Sequence, residues 1–231
     1  GDNEHTNVTE VNALTSLMAM RNDYTGFYSP NNQLGATTEL EAIELTAAHE
    51  YHHAIQFGYD GYEKAWLFEA TATEMEEQIY DEINDCHTWL PSWFAEPQKS
   101  LDHPSEHWYG SFIFPQYIFE HFGGYITLRR IWQESVSDDS YYGDFSHQAI
   151  SLALSDEGSS FSDVLNKMVI ANRVMSSSPN AGVFSYEEAE IYPVTGPATF
   201  QTITYNAGTN QSVTSTNLTR FASQYTRVNS S

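Results

Sequence analysis

The stretch from Thr38 to Gly61 constrains the chain more than any other. Thr38 and Glu41 stand at the spacing of a capping box, in which a hydroxyl and a carboxylate satisfy each other's orphan backbone amides. From there to about Phe57 no Gly or Pro interrupts the run, and the Gly58–Gly61 stretch ends it, so one long helix is predicted. A second helix is predicted over roughly 63–85. There Phe68, Ala72, Met75, Ile79 and Ile83 recur at steps of four, three, four and four, a continuous apolar stripe for burial.

The first helix carries His49-Glu50-Tyr51-His52-His53, an instance of H-E-x-x-H. At ~100° per residue, His49 and His53 lie about 40° apart on one face and one turn apart along the axis. Two imidazoles so placed can reach one tetrahedral Zn²⁺. Glu50 stands on the flank of that face, about 60° from His53, too far round to ligate but placed to take a proton from water. His52 has no histidine four residues away and points about 100° from His53, which gives it a supporting or structural role.

A catalytic zinc site needs a third protein ligand and an open fourth position. Glu69 is the best candidate: it borders the apolar stripe on the second helix, where an unpaired carboxylate is costly and a cation would remove the cost. Glu74, Glu76 and Glu77 are rivals, although they fall in an acidic run of the kind that usually faces solvent.

An H-E-x-x-H helix followed by Trp66-Leu67-Phe68-Glu69-Ala70-Thr71-Ala72 resembles the gluzincins, zinc peptidases of the thermolysin and alanyl-aminopeptidase type in the MA clan. The resemblance implies Zn²⁺ as cofactor, His49, His53 and Glu69 as its ligands, Glu50 as general base, and a protein or peptide substrate. Tyr109-Gly110-Ser111-Phe112-Ile113-Phe114 is similar to the segment whose tyrosine stabilises the oxyanion, which nominates Tyr109, with His103 and His107 as alternative donors. Met18-Ala19-Met20-Arg21-Asn22 stands where aminopeptidases carry a glutamate for the substrate's free amine. Arg21 at that position would line the substrate cleft and repel an ammonium, which implies an endopeptidase rather than an aminopeptidase. A secreted, extracellular bacterial enzyme is expected. The rival is a non-catalytic binding or adhesion module in which zinc is structural, against which the presence of Glu50 counts.

With 9 Lys plus Arg against 31 Asp plus Glu, the formal charge of −22 argues against nucleic acid or an anionic membrane as partner. No run approaches the ~18 apolar residues of a membrane span, so no membrane insertion is expected. No signal peptide is recognised either. Cys86 is the only cysteine, which excludes an intrachain disulfide and clusters of thiolates.

Further along, 15–22 reads as a short strand and 87–105, with three prolines, as irregular. Helices are predicted at 108–122, 125–136, 145–154 and 161–175, the 108–122 helix bent at Pro115. Beyond Ser176 the texture turns to Thr, Val, Ser, Asn and Gly, and 198–228 reads as short strands and turns. The expected architecture is α+β: a zincin-like catalytic domain over 1–175 and a β-rich C-terminal segment over 176–231. Its parts would be a short sheet with an edge strand, the H-E-x-x-H helix, the Glu-bearing second helix and a helical lobe. Asp138, Asp139 and Asp144 could attract calcium, though their spacing fits no EF-hand loop.

Overall fold

The computed structural model describes residues 12–28, 35–136, 146–208, 210, 212–213 and 218–230. The acidic residues Asp138, Asp139 and Asp144 lie outside them. Among the described residues the chain forms helices α1 (Glu39–Tyr59), α2 (Ala65–Ile79), α3 (Leu90–Ala95), α4 (His107–Gly110), α5 (Ile113–His121), α6 (Gly124–Ser135), α7 (Ser146–Ser155) and α8 (Phe161–Val174). Two 3₁₀ helices cover Asp85–Trp89 and Pro179–Phe184. Strands β1 (Gln201–Tyr205) and β2 (Thr226–Ser230) pair in parallel, Gln201 opposite Thr226. The class is α+β, strongly weighted to helix. None of the described helices is long and apolar enough to cross a membrane.

Helix α1 begins as its sequence dictates. The Thr38 hydroxyl accepts from the Glu41 amide at 3.2 Å, and the Glu41 carboxylate accepts from the Thr38 amide at 3.0 Å and the Thr37 amide at 2.7 Å. The end comes at Tyr59, with Asp60 as cap.

Helix α2 is shorter than its apolar stripe suggests. It stops at Ile79 because the chain turns through 81–83 and Asn84 adopts a left-handed conformation (φ 55°). Ile79 is 51% exposed, while Ile83 packs in a small separate cluster with Tyr24, Ala36, Ala42 and Leu45. The acidic run expected at the surface is instead interior: Glu74 and Glu77 are buried. The reason is that α2 is central, packed by α1 on one side and by α4, α5 and the 85–89 turn on others, so no face is left for a solvated acidic run.

The 87–105 segment is also more ordered than three prolines suggest. Pro91 lies in the first turn of α3, where its missing amide costs nothing. The predicted 108–122 helix is two helices, α4 and α5, and Pro115 again falls in a first turn, at the start of α5.

The strand expected at 15–22 does not form. Leu14 N bonds Phe57 O at 2.7 Å and Gly61 N bonds Asn12 O at 3.0 Å, which tie 12–14 to the end of α1. The residues that follow find no ladder partner, and Leu17 is 92% exposed. Among the described residues, then, no sheet lies beside α1 and α2, and β1 with β2 stands near the C-terminus instead.

One hydrophobic core runs from α2 through α3, α5, α6, α7 and α8, with Leu67, Phe94, Ile113, Ile131, Leu154 and Val164 fully buried. Residues beyond 175 enter the same core: Tyr186, Ala189 and Tyr192 are buried in it, and the Tyr186 hydroxyl donates to Asn172 Oδ1 on α8 at 2.6 Å. Gly110 marks a close approach, since a Cβ there would meet the Trp93 side chain at 2.7 Å. The Thr38→Ala substitution, which removes the acceptor at the start of α1, should lower the unfolding free energy by about 1 kcal/mol. Urea unfolding at unchanged slope is the measurement.

Candidate metal centre

Helix α1 packs along α2, and the facing side chains are histidines from one and a glutamate from the other. His49 Nε2 lies 3.3 Å and His53 Nε2 3.7 Å from the same oxygen, Glu69 Oε2. The donor atoms of all three lie within 4.8 Å of one another, and the two imidazoles meet edge to face with centroids 4.6 Å apart. Glu69 Oε2 is buried without any group in hydrogen-bonding geometry. Two nitrogens converging on a buried carboxylate oxygen form a donor set that suits Zn²⁺, with three protein ligands as catalytic sites have.

Each histidine is oriented from behind. His49 Nδ1 and Glu76 Oε1 are 2.6 Å apart, and His53 Nδ1 and Gln56 Oε1 are 2.7 Å apart. With these oxygens at Nδ1, both rings donate there and turn Nε2 toward Glu69. Gln56 is itself fixed: its amide donates to Phe68 O at 3.0 Å and Thr71 Oγ1 at 2.8 Å. Thr71 in turn bonds Leu67 O at 2.7 Å and accepts from Trp132 Nε1 at 3.2 Å, so α1, α2 and α6 share one network.

The charges agree with the geometry. Burial works to lower the His49 pKa, but Glu69 and Glu76 on either side of the ring outweigh it and raise it to about 9. Burial works to raise Glu69, but the two imidazoles outweigh it and bring it to about 2. Glu76 is pushed up by burial, with His49 opposing.

Tyr109 belongs to this site. Its ring centroid is 6.1 Å from that of His49, and it stacks on Trp89 at 4.9 Å and 21°. Burial first, then the charges of Glu69, Glu50 and Glu76, raise its pKa, so the phenol keeps its proton. A recess of about 300 Å³ opens between His53, Phe57, Phe68 and Glu69.

Arg21 is not brought into this group. Its guanidinium lies over the Phe27 ring at 4.2 Å, in a stretch without regular structure. His103 and His107 pack against each other with centroids 5.9 Å apart, and His107 stacks on Trp93 at 5.9 Å. His52 is turned away, lining a cavity of about 540 Å³ on another flank of α1 with Tyr59, Met75 and Trp132. Burial lowers its pKa to about 3, so it is neutral, a structural position.

Gln56 also belongs to the candidate site, through its contact with His53 Nδ1. It stands three residues after His53, where a helical side chain meets its neighbour, so the signal was present. The rival ligand Glu76 is placed on the far nitrogen of His49.

Two outcomes follow from the geometry. Gln56→Leu should weaken zinc binding about 10–100-fold, read by competition with a chromophoric chelator. In the metal-free protein His49 is protonated below about 9. Zinc uptake at pH 7 should therefore release a proton, measured calorimetrically in buffers of different ionisation enthalpy, and affinity should rise with pH up to that value.

Residues 34–141 match the model of a protein family described as a family of unknown function (DUF6055). That stretch contains α1 to α6 and every residue of the candidate metal centre. No curated protein and no solved structure matches the chain.

Proposed function

We propose that the protein is a zinc-dependent endopeptidase of the gluzincin type. The observation that carries this reading is the convergence of His49 Nε2 and His53 Nε2 on the buried Glu69 Oε2, with Glu50 on the same helix and Tyr109 alongside. The zincin likeness rests on the two helices α1 and α2 and not on an edge strand. Substrate recognition is accordingly assigned to the recess beside His53 and Glu69 rather than to strand addition along 18–22.

When bound, Zn²⁺ supplies Lewis acidity, bringing the pKa of a water to about 7 and polarising a carbonyl. Glu50 accepts the proton of the attacking water on its carboxylate and returns it to the leaving amine. Tyr109, kept protonated by its surroundings, donates its phenolic hydrogen to the developing oxyanion. Glu76 and Gln56 hold the imidazoles in one tautomer and one orientation throughout. Trp89 holds the Tyr109 ring by stacking.

The choice of internal over N-terminal cleavage rests on the sequence alone, where Arg21 stands at the chain position at which aminopeptidases carry an anion; in the fold its side chain lies over Phe27, outside the site. One feature favours an extracellular setting. The −22 charge suits an environment in which salt screens self-repulsion. A non-catalytic zinc module is the weaker reading, since a structural site fills its fourth position with protein and has no use for Glu50.

Glu50→Gln should retain zinc and lose casein hydrolysis by about 10²–10⁴-fold, with o-phenanthroline abolishing the wild-type rate. Retention of more than about a tenth of the rate in this variant would exclude Glu50 as the base. In a peptide library followed by mass spectrometry, N-terminal acetylation should leave cleavage unchanged. Stepwise loss of single N-terminal residues, blocked by acetylation, would instead identify an aminopeptidase.

A further inference from the structure

A second group of ligating side chains lies on another side of α2, in the interior. We propose that Glu77, Cys86 and His87, with Glu188 closing the set, form a structural site for a thiophilic divalent cation such as Zn²⁺. Donor atoms of Glu77, Cys86 and His87 lie within 4.8 Å of one another, and these residues are 4%, 1% and 1% exposed. The Cys86 thiol donates to Glu77 Oε2 at 3.0 Å, and His87 Nε2 is 3.4 Å from Glu188 Oε2. The Glu188 carboxyl also meets that of Glu77.

The group is more than a cluster of acids. It combines sulfur, nitrogen and oxygen donors, each a ligand type that zinc accepts. His87 is almost wholly buried between Phe112 and Tyr192, yet its Nδ1 has no hydrogen-bond partner among the described residues. No Lys or Arg forms an ion pair with Glu74, Glu77, Glu120 or Glu188 among the described residues. The Cys86 thiol, which here donates to Glu77, would release its proton to a divalent cation, leaving a thiolate beside the carboxylates of Glu77 and Glu188. The thiol and imidazole select zinc-like ions over calcium, which takes oxygen alone. Glu77, Asp81 and Glu188 form an overlapping all-carboxylate group on the outer side, where calcium would sit if it were the occupant.

The site joins α2, the 85–89 turn and the segment after 179–184, three parts distant in sequence, in a chain with one cysteine and hence no internal disulfide. Glu77 directly follows Glu76, which holds His49, so a cation here would brace the helix that builds the first centre.

Cobalt separates the two centres, because only one of them contains sulfur and Cys86 is the only thiol. Metal-free full-length protein titrated with Co²⁺ should develop a thiolate-to-cobalt charge-transfer band in the near ultraviolet. The band should persist in the double variant His49→Ala/His53→Ala, with one equivalent of metal fewer, and vanish in Cys86→Ser. Absence of the band from wild-type protein overturns the site, whatever the total uptake and whether or not Cys86→Ser folds. Loss of the band in the histidine variant, or a second equivalent taken up only as Ca²⁺, overturns it too. A wild-type protein that shows the band but binds a single equivalent keeps this site and removes the first centre.

Discussion

Two imidazoles on α1 share one carboxylate oxygen on α2, and the close packing of those helices is what much of the remaining structure serves. The approach is held by Gln56, which reaches from α1 to the backbone and hydroxyl of α2, and by Trp132 of α6, which completes that network. Glu69 and Glu76 are seven residues apart, two helical turns, and therefore lie on one face. One meets His49 at Nε2 and the other at Nδ1. A single imidazole clamped between two carboxylates fixes the rotation of α1 against α2 as firmly as an apolar contact would. The ring nitrogen Nε2 is the one turned toward Glu69 and His53.

The arrangement places Tyr109 without help from a sheet. α4 is a single turn, too short to be stable alone, and its position depends on packing. Gly110 allows it to press on Trp93, and the Tyr109 ring then stacks on Trp89. The aromatic residues of the 85–95 segment therefore build the floor on which the Tyr109 ring rests. This explains why a stretch that reads as irregular is folded into short helices.

Much of the centre was legible because it is local. The capping box, the i,i+4 histidine pair and Glu69 beside apolar residues are all short-range patterns, and the structure brings those residues together. The parts that could not be read depend on what packs against what. Glu74, Glu76 and Glu77 look like a solvated face, since nothing local says that α2 is surrounded. Residues 15–22 carry a short apolar run that reads as a strand, yet a strand exists only where another edge offers hydrogen bonds. Pro91 and Pro115 read as breaks, whereas each sits in the first turn of a helix. Arg21 was tied to the cleft through the strand that did not form, and its nearest ring is Phe27 instead.

The interior acids follow from the composition in a less obvious way. A chain with 31 acidic and 9 basic residues has few cations to spare for its core. Yet α2 carries Glu69, Glu74, Glu76 and Glu77, all at least partly buried, and Glu120 of α5 lies nearby with its side chain 7% exposed. Such groups can be made neutral by a proton, balanced by an imidazolium, or balanced by a metal ion, and the three solutions differ in cost. Glu69 and Glu76 use His49, whose raised pKa is the other side of the same interaction. Glu74 has no such neighbour, and burial raises its pKa well above the ordinary value, so it holds a proton. Glu77 stands between these cases, with a thiol and an imidazole within reach. A surplus of acid that is harmless at the surface thus becomes, inside, a demand for compensation that the chain's own side chains meet only in part.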